Sequence, residues 1–311
     1  MKQLLIIILS LIGLMNATDI QPAQNGMSQM TLPTLDTSSI KKKYLNIAYD
    51  KSSNAQTLDI YLPEEQPAIT YPVIIAIHGG AFMMGDKSDI QLKAPLEGLK
   101  KGYAVVSINY RLSGEAIFPA QINDVTKAIL FIKENAHKYN LDSKKIALWG
   151  GSAGGNLGAL VGTLCSSQKF LSKTTCKVQA VVDWFGPINF LTMDEQFLKS
   201  KKGIPSHSAS NSPESQYLGA TITHIQSVVY QANPETFISS NTPPFFVQHG
   251  DQDHLVPLEQ SIEFVKKLKN AIGEKNVYFE VLKGADHGGQ AFESSENLEK
   301  VFTFLDTYLK N

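Results

Sequence analysis

Beyond Lys41, short runs of β-branched and aromatic residues closed by glycine or polar groups alternate with stretches whose apolar positions recur every three or four residues. Tyr44 to Asp50 and Gln56 to Leu62, joined by the polar Lys51-Ser52-Ser53-Asn54, predict an antiparallel hairpin at a sheet edge. Val73 to Ile77, Tyr103 to Asn109, Ile146 to Trp149, Val178 to Trp184, Phe245 to Gln248 and Val277 to Leu282 read as buried strands. Helical spacing follows in Ile122, Val125, Ile129, Ile132 and Ala136 after Pro119, in Ile262, Val265, Leu268 and Ile272, and in Leu298, Val301, Phe302, Leu305 and Leu309. An antiparallel pair followed by repeated strand and helix units predicts an α/β fold: a doubly wound, mostly parallel, eight-stranded sheet with helices on both faces. From about 190 to 240 scattered Pro, Ser, Asn and Gln break the rhythm, and this stretch is expected to be a lid-like insertion within one catalytic domain over 41–311.

The N-terminus follows a different logic. Met1-Lys2, an apolar run from Leu4 to Leu14 and Met15-Asn16-Ala17 have the charge, length and small final residue of a signal peptide over 1–17, which predicts a secreted or periplasmic protein. About eleven apolar residues are too short to span a bilayer, so no stable membrane span is expected after cleavage; an uncleaved anchor or a buried N-terminal helix is the competing reading. Residues 18–40 lack periodicity and read as a flexible lead-in. The whole chain has 311 residues, 43% hydrophobic, with 28 basic against 29 acidic side chains. That balance leaves no basic excess for nucleic acid and enough apolar material for one large core. Two cysteines are too few for a disulfide scaffold or a four-ligand zinc site; in an oxidising compartment Cys165 and Cys176 are expected to pair. Nothing in the pattern specifies an oligomeric state.

Chemistry concentrates in four glycine-bearing segments. Gly150-Gly151-Ser152-Ala153-Gly154 stands between a strand and a helix-compatible stretch, where a Gly-x-Ser-x-Gly elbow lifts its serine to the top of the sheet. His78-Gly79-Gly80-Ala81-Phe82 ends an earlier strand, and backbone N–H groups of such a loop can be aimed at the negative charge that acyl transfer builds. Gly80 and Ala81, with Gly79 as a further candidate and Ala153 after the serine, are the expected oxyanion donors, and His78 is expected to position the loop. A serine needs a base, and the base a carboxylate. His287, in Gly284-Ala285-Asp286-His287, is the expected base; Asp253 and Asp251, in His249-Gly250-Asp251-Gln252-Asp253-His254, compete for the orienting role. Asp253 is preferred because it directly precedes the next segment, Asp251 and Asp286 are assigned to turns, and His249 and His254 are set aside as bases. Phe82 and Trp184 are candidates to line the substrate pocket, with core packing as the alternative. No metal or organic cofactor is implied.

These residues resemble an α/β-hydrolase esterase of the hormone-sensitive-lipase-like branch, and in particular the bacterial feruloyl or acetylxylan esterases. The matching stretches, besides the elbow and His78-Gly79-Gly80, are Ser107-Ile108-Asn109-Tyr110-Arg111, Phe118-Pro119-Ala120-Gln121, Asp183-Trp184-Phe185-Gly186-Pro187, Ser212-Pro213-Glu214-Ser215 and His249 to Pro257, within roughly residues 45–310. The resemblance implies a carboxylic ester hydrolase with Ser152, Asp253 and His287 as triad, Tyr110 and Arg111 as scaffold, and small-molecule or carbohydrate esters as substrates. One departure is Ala81 where many lipase-like relatives carry glycine, which is expected to narrow the acyl pocket. A lipase or general carboxylesterase is the alternative; a peptidase or a non-catalytic binding module fits less well, since no recognition domain is evident and all three triad positions are filled.

Overall fold

In the computed structural model, residues 32–64, 70–167 and 176–310 are described; the expected signal peptide and residues 18–31 of the lead-in lie outside them. The eight expected strands form: β1 (Lys43–Ala48), β2 (Thr57–Tyr61), β3 (Tyr71–Ile77), β4 (Ala104–Ile108), β5 (Leu141–Gly151), β6 (Ala180–Trp184), β7 (Phe245–Gly250) and β8 (Val277–Leu282). They make one sheet in the order β1-β2-β4-β3-β5-β6-β7-β8. The β1–β2 and β2–β4 pairs are antiparallel, and every pair from β4 to β8 is parallel. Both faces of the central strands are covered, which explains why they read as continuous apolar runs. Ile75, Ile77, Leu148 and Val181 face one core, whereas Ile74, Trp149, Val182 and Trp184 face the other.

Helices α1 (Ala120–Glu134), α2 (Ala153–Leu164) and α6 (Leu258–Ile272) close the first core, through Val125, Ile129, Leu157, Leu160, Phe264 and Leu268. The C-terminal α7 (Ser295–Leu309) closes the second with Val301, Phe302, Leu305 and Leu309, after the Ser294 side chain caps its first turn by accepting from the Asn297 N–H at 3.2 Å. On α6 the expected inward face is rotated. Ile262 is 44% exposed, while the polar Gln260 and Ser261 are buried. Both have partners that offset the cost of burial: Gln260 Oε1 accepts from the N–H groups of Ile188 and Asn189, and Ser261 meets His249.

Two expectations are refined, and the expected disulfide forms. Residues 33–40, expected to be a flexible lead-in, are tied down: Leu35 donates to Ser88, Ile90 donates to Pro33, and Leu35 and Ile40 pack on Tyr61, Leu92 and Val105. The insertion carries three helices, α3 (Met193–Ser200), α4 (Pro213–Leu218) and α5 (Gln226–Ala232), whose Met193, Tyr217, Leu218 and Val229 join the first core. It is a packed side wall rather than a roof, because its polar surface hides a buried apolar stripe on each helix. Cys165, at the end of α2, is joined to Cys176. Closing so short a loop stabilises a fold by about 2 to 3 kcal/mol. Among the described residues no helix is long and apolar enough to cross a membrane.

Candidate active site

The parallel register sets Ile77 beside Gly150 and Gly150 beside Asp183, so the loops leaving β3, β5 and β6 converge at the carboxyl ends of the strands. Ser152 occupies the sharp turn from β5 into α2 with φ 55° and ψ −124°. That backbone region costs an L-residue about 1 to 3 kcal/mol and persists only where the surroundings enforce it. Here Ser152 donates its N–H to the Trp184 carbonyl at 2.9 Å, and the flanking glycines leave no room for a side chain. A Cβ on Gly154 would meet the Ile77 carbonyl, and one on Gly150 would meet the backbone of Gly154.

The loop after β3 has an unusual backbone. Gly80, Ala81 and Phe82 all have positive φ, at 107°, 54° and 62°. The Gly80 carbonyl accepts from the N–H groups of Met83 and Met84, Gln91 Oε1 accepts from the Gly79 N–H at 2.9 Å, and the Phe82 carbonyl accepts from Ser113. Among the described residues, the N–H groups of Gly80, Ala81 and Ala153 donate to no other group. Lys87 anchors the far end of the loop, its ammonium buried against Asp59 at 3.0 Å and Asn46 at 2.9 Å. His78 stacks on Tyr110 with ring centres 4.3 Å apart, and Tyr110 donates to the His78 carbonyl. Burial pushes the His78 imidazole below its usual range against the opposing bond to Gly79, which suits a neutral structural ring. Arg111 makes a two-pronged pair with Asp124, at 2.8 and 2.7 Å, and is scaffold.

Asp253 and His287 arrive from the loops after β7 and β8. Asp253 Oδ2 lies 2.7 Å from His287 Nδ1, and Asp253 Oδ1 accepts from the N–H groups of Leu255 and Val256, each at 2.8 Å. Burial pushes the Asp253 carboxyl upward, but the bonds from His249 and His287 outweigh it and hold the group well below the usual carboxylate range. Asp251 instead holds a turn, accepting from the Gly284 N–H at 2.6 Å. Asp286 accepts from the His287 N–H and pairs with the exposed His254 at 2.6 Å, which removes His254 from the site.

A cavity of about 450 Å³ joins these parts. Ser152 and His287 line it with Gly80, Ala81, Trp184, Phe185 and Phe292, and no residue of the insertion does. Phe185 leans on the His287 ring at 4.5 Å. Three partly exposed aliphatic side chains, Leu32, Ile90 and Leu255, also border it, from three separate segments. Trp184 is buried in the second core and also borders the cavity, whereas the ring of Phe82 is buried and stacked on Tyr217 at 4.0 Å, in the first core and away from the cavity. The positive φ of Phe82 turns its side chain inward, which no local pattern announces. Sequence reasoning missed Leu32, Ile90 and Leu255, whose roles depend on long-range packing, and underrated His249, whose spacing of four from Asp253 was the available signal. Among the described residues no group of three or more His, Cys, Asp or Glu is placed to hold a metal ion.

Asp183 lies just behind the elbow. Its Oδ1 accepts from the Gly186 N–H at 3.0 Å while its buried Oδ2 meets no partner among the described residues. Burial, opposed by that bond and by His249, pushes its carboxyl from 3.8 up to about 6. A raised acid holds its proton in the folded state after the unfolded chain has released it, so its contribution is present at low pH and is lost as the pH rises from about 4 through 6. Asp183→Asn should therefore stabilise the fold at pH 7.5 relative to its effect at pH 4, by on the order of 3 kcal/mol. Thermal melts of both proteins across that range check this; equal differences at the two ends would contradict it.

The sheet order, the elbow and the loops at the strand ends define an α/β-hydrolase. The chain belongs to the BD-FAE family, whose sequence pattern matches residues 58–268. It is 31% identical over 240 residues to the probable carboxylic ester hydrolase LipM of Mycobacterium tuberculosis, covering 76% of this chain and 54% of that protein. Esterase LipC of the same organism is also 31% identical, with 75% and 57% covered, so the chain spans just over half the length of these relatives. Among solved structures, a truncated carbohydrate esterase from gut microbiota superposes with a TM-score of 0.77 at 29% identity, covering 89% of this chain and all of that one. A bifunctional GH43-CE protein of Bacteroides eggerthii gives 0.74 at 32% identity, covering 86% and 35%.

Proposed function

We propose that this protein is an exported serine carboxylic ester hydrolase acting on short acyl, acetyl or feruloyl esters of carbohydrates. The observation that carries the reading is that a strained Ser152 and His287, the latter bonded to the buried Asp253 at 2.7 Å, line one cavity. Ser152 Oγ attacks the ester carbonyl carbon while His287 Nε2 takes its proton. The carbonyl oxygen becomes an oxyanion facing the free N–H groups of Gly80, Ala81 and Ala153, each such donor contributing about 3 to 4 kcal/mol to the transition state. As the tetrahedral species collapses, the carbon to alkoxy-oxygen bond breaks and His287 returns the proton to the departing alcohol. Water, deprotonated by His287, then attacks the acyl-enzyme and releases the acid and Ser152. Asp253 keeps Nδ1 of His287 protonated, leaving Nε2 free to act as base.

The carbohydrate esterase neighbours support a sugar ester, and the aromatic lining of Trp184, Phe185 and Phe292 suits a sugar face or an aryl acyl group. The leader sequence and the disulfide support export into an oxidising compartment. The test is a series of p-nitrophenyl esters from acetate to decanoate, run beside acetylated xylan and methyl ferulate. Activity that falls sharply after acetate or butyrate, with release of acid from one of the plant esters, is expected. Activity that rises toward decanoate with neither plant ester cleaved would favour a lipase-like enzyme instead.

A further inference from the structure

His249 is fully buried at the end of β7, directly behind the acid loop. Its Nε2 faces two acceptors, the Val256 carbonyl at 2.9 Å and Asp253 Oδ2 at 3.2 Å, so that nitrogen must carry a proton. Its Nδ1 lies 2.7 Å from Ser261 Oγ on α6, and in the neutral ring with Nε2 protonated this nitrogen accepts the hydroxyl proton. Asp183 on β6 contributes the other nearby carboxyl. Asp253 thus accepts three hydrogen bonds, two from backbone N–H groups on Oδ1 and one from the His287 imidazole on Oδ2, and the His249 ring, bonded to Val256, closes on the same Oδ2 at 3.2 Å. The exposed neighbour His254 does nothing comparable, since it is engaged by Asp286.

We infer that His249 is a positioning residue for hydrolysis, clamping Asp253 Oδ2 in the plane and place from which it orients His287, with Ser261 locking the clamp. This rests on the roles of Asp253 and His287 given above. The clamp explains why the polar Ser261 faces inward on α6. His249 never touches the substrate, so its removal should act on the chemical step and leave binding alone.

The test is a double-mutant cycle on a p-nitrophenyl ester. His249→Leu should lower kcat about 10- to 100-fold with KM within about twofold, and His249→Gln, whose amide N–H can reach the same oxygen, should recover most of the loss. In an Asp253→Asn background, His249→Leu should change kcat by less than about threefold, because the group it positions is already gone. Ser261→Ala, a mild change that keeps the fold if the leucine variant does not, should give a smaller loss that likewise vanishes in that background. Wild-type kcat in His249→Leu, or a full additional loss in the Asp253→Asn background, would overturn the inference. Wild-type activity in Asp253→Asn alone would instead overturn the proposed triad.

Discussion

Ser152→Ala is expected to lower kcat on a small acyl ester by about six orders of magnitude, with the protein folded as before. The expectation follows from position as much as from chemistry. Ser152 sits at a backbone angle that the surrounding glycines and the Trp184 carbonyl impose. Because the alanine keeps the backbone hydrogen bond and removes one oxygen, the loss should fall on turnover. Residual hydrolysis from the oxyanion donors and from binding alone should remain measurable over water. Steady-state kinetics with an acetate ester, on protein whose melting temperature matches the parent, gives the comparison. Activity within about tenfold of the parent would remove Ser152 from the mechanism.

The second large effect separates two aspartates two residues apart. Asp253→Asn should cost about four orders of magnitude in kcat, since an amide N–H placed against Nδ1 forces His287 into the wrong tautomer. It also turns that N–H toward His249, whose Nε2 is itself a donor. Asp251→Asn should stay within about fivefold of the parent, because its side chain is at the surface and only steadies the Gly284 turn. Measured side by side, the two variants discriminate cleanly. The opposite ranking would make Asp251 the orienting acid, against the 2.7 Å contact of Asp253 with His287.

Much of this was legible in the chain itself, and the reasons differ by region. The central strands declared themselves because a parallel sheet covered on both faces needs unbroken apolar runs, as in Val73 to Ile77. The turn at Ser152 and the loop at Gly80 were legible because a sharp strand-to-helix turn and a tight positive-φ loop need glycines at fixed spacings, and those spacings are local. What stayed hidden depends on distant contacts. The inward turn of α6 is set by Ser261 meeting His249 and by Gln260 meeting Ile188. Phe82 looked like a pocket wall but is drawn into the core by Tyr217, over a hundred residues away. Leu32 and Leu35 carried no periodic signal, because a strap held by a few hydrogen bonds to Ser88 and Ile90 needs none. The insertion read as a polar lid because its helices are short, and a single buried stripe on each is diluted by polar neighbours.

Acylation of Ser152 by substrate is the central step, and a fluorophosphonate that modifies only activated serines reports on that serine directly. Inhibition of ester hydrolysis should track stoichiometric labelling, and peptide mass spectrometry should find the phosphonyl group on Ser152, with no labelling in Ser152→Ala. A label on another serine, or full hydrolytic activity in protein that takes up no label, would contradict it.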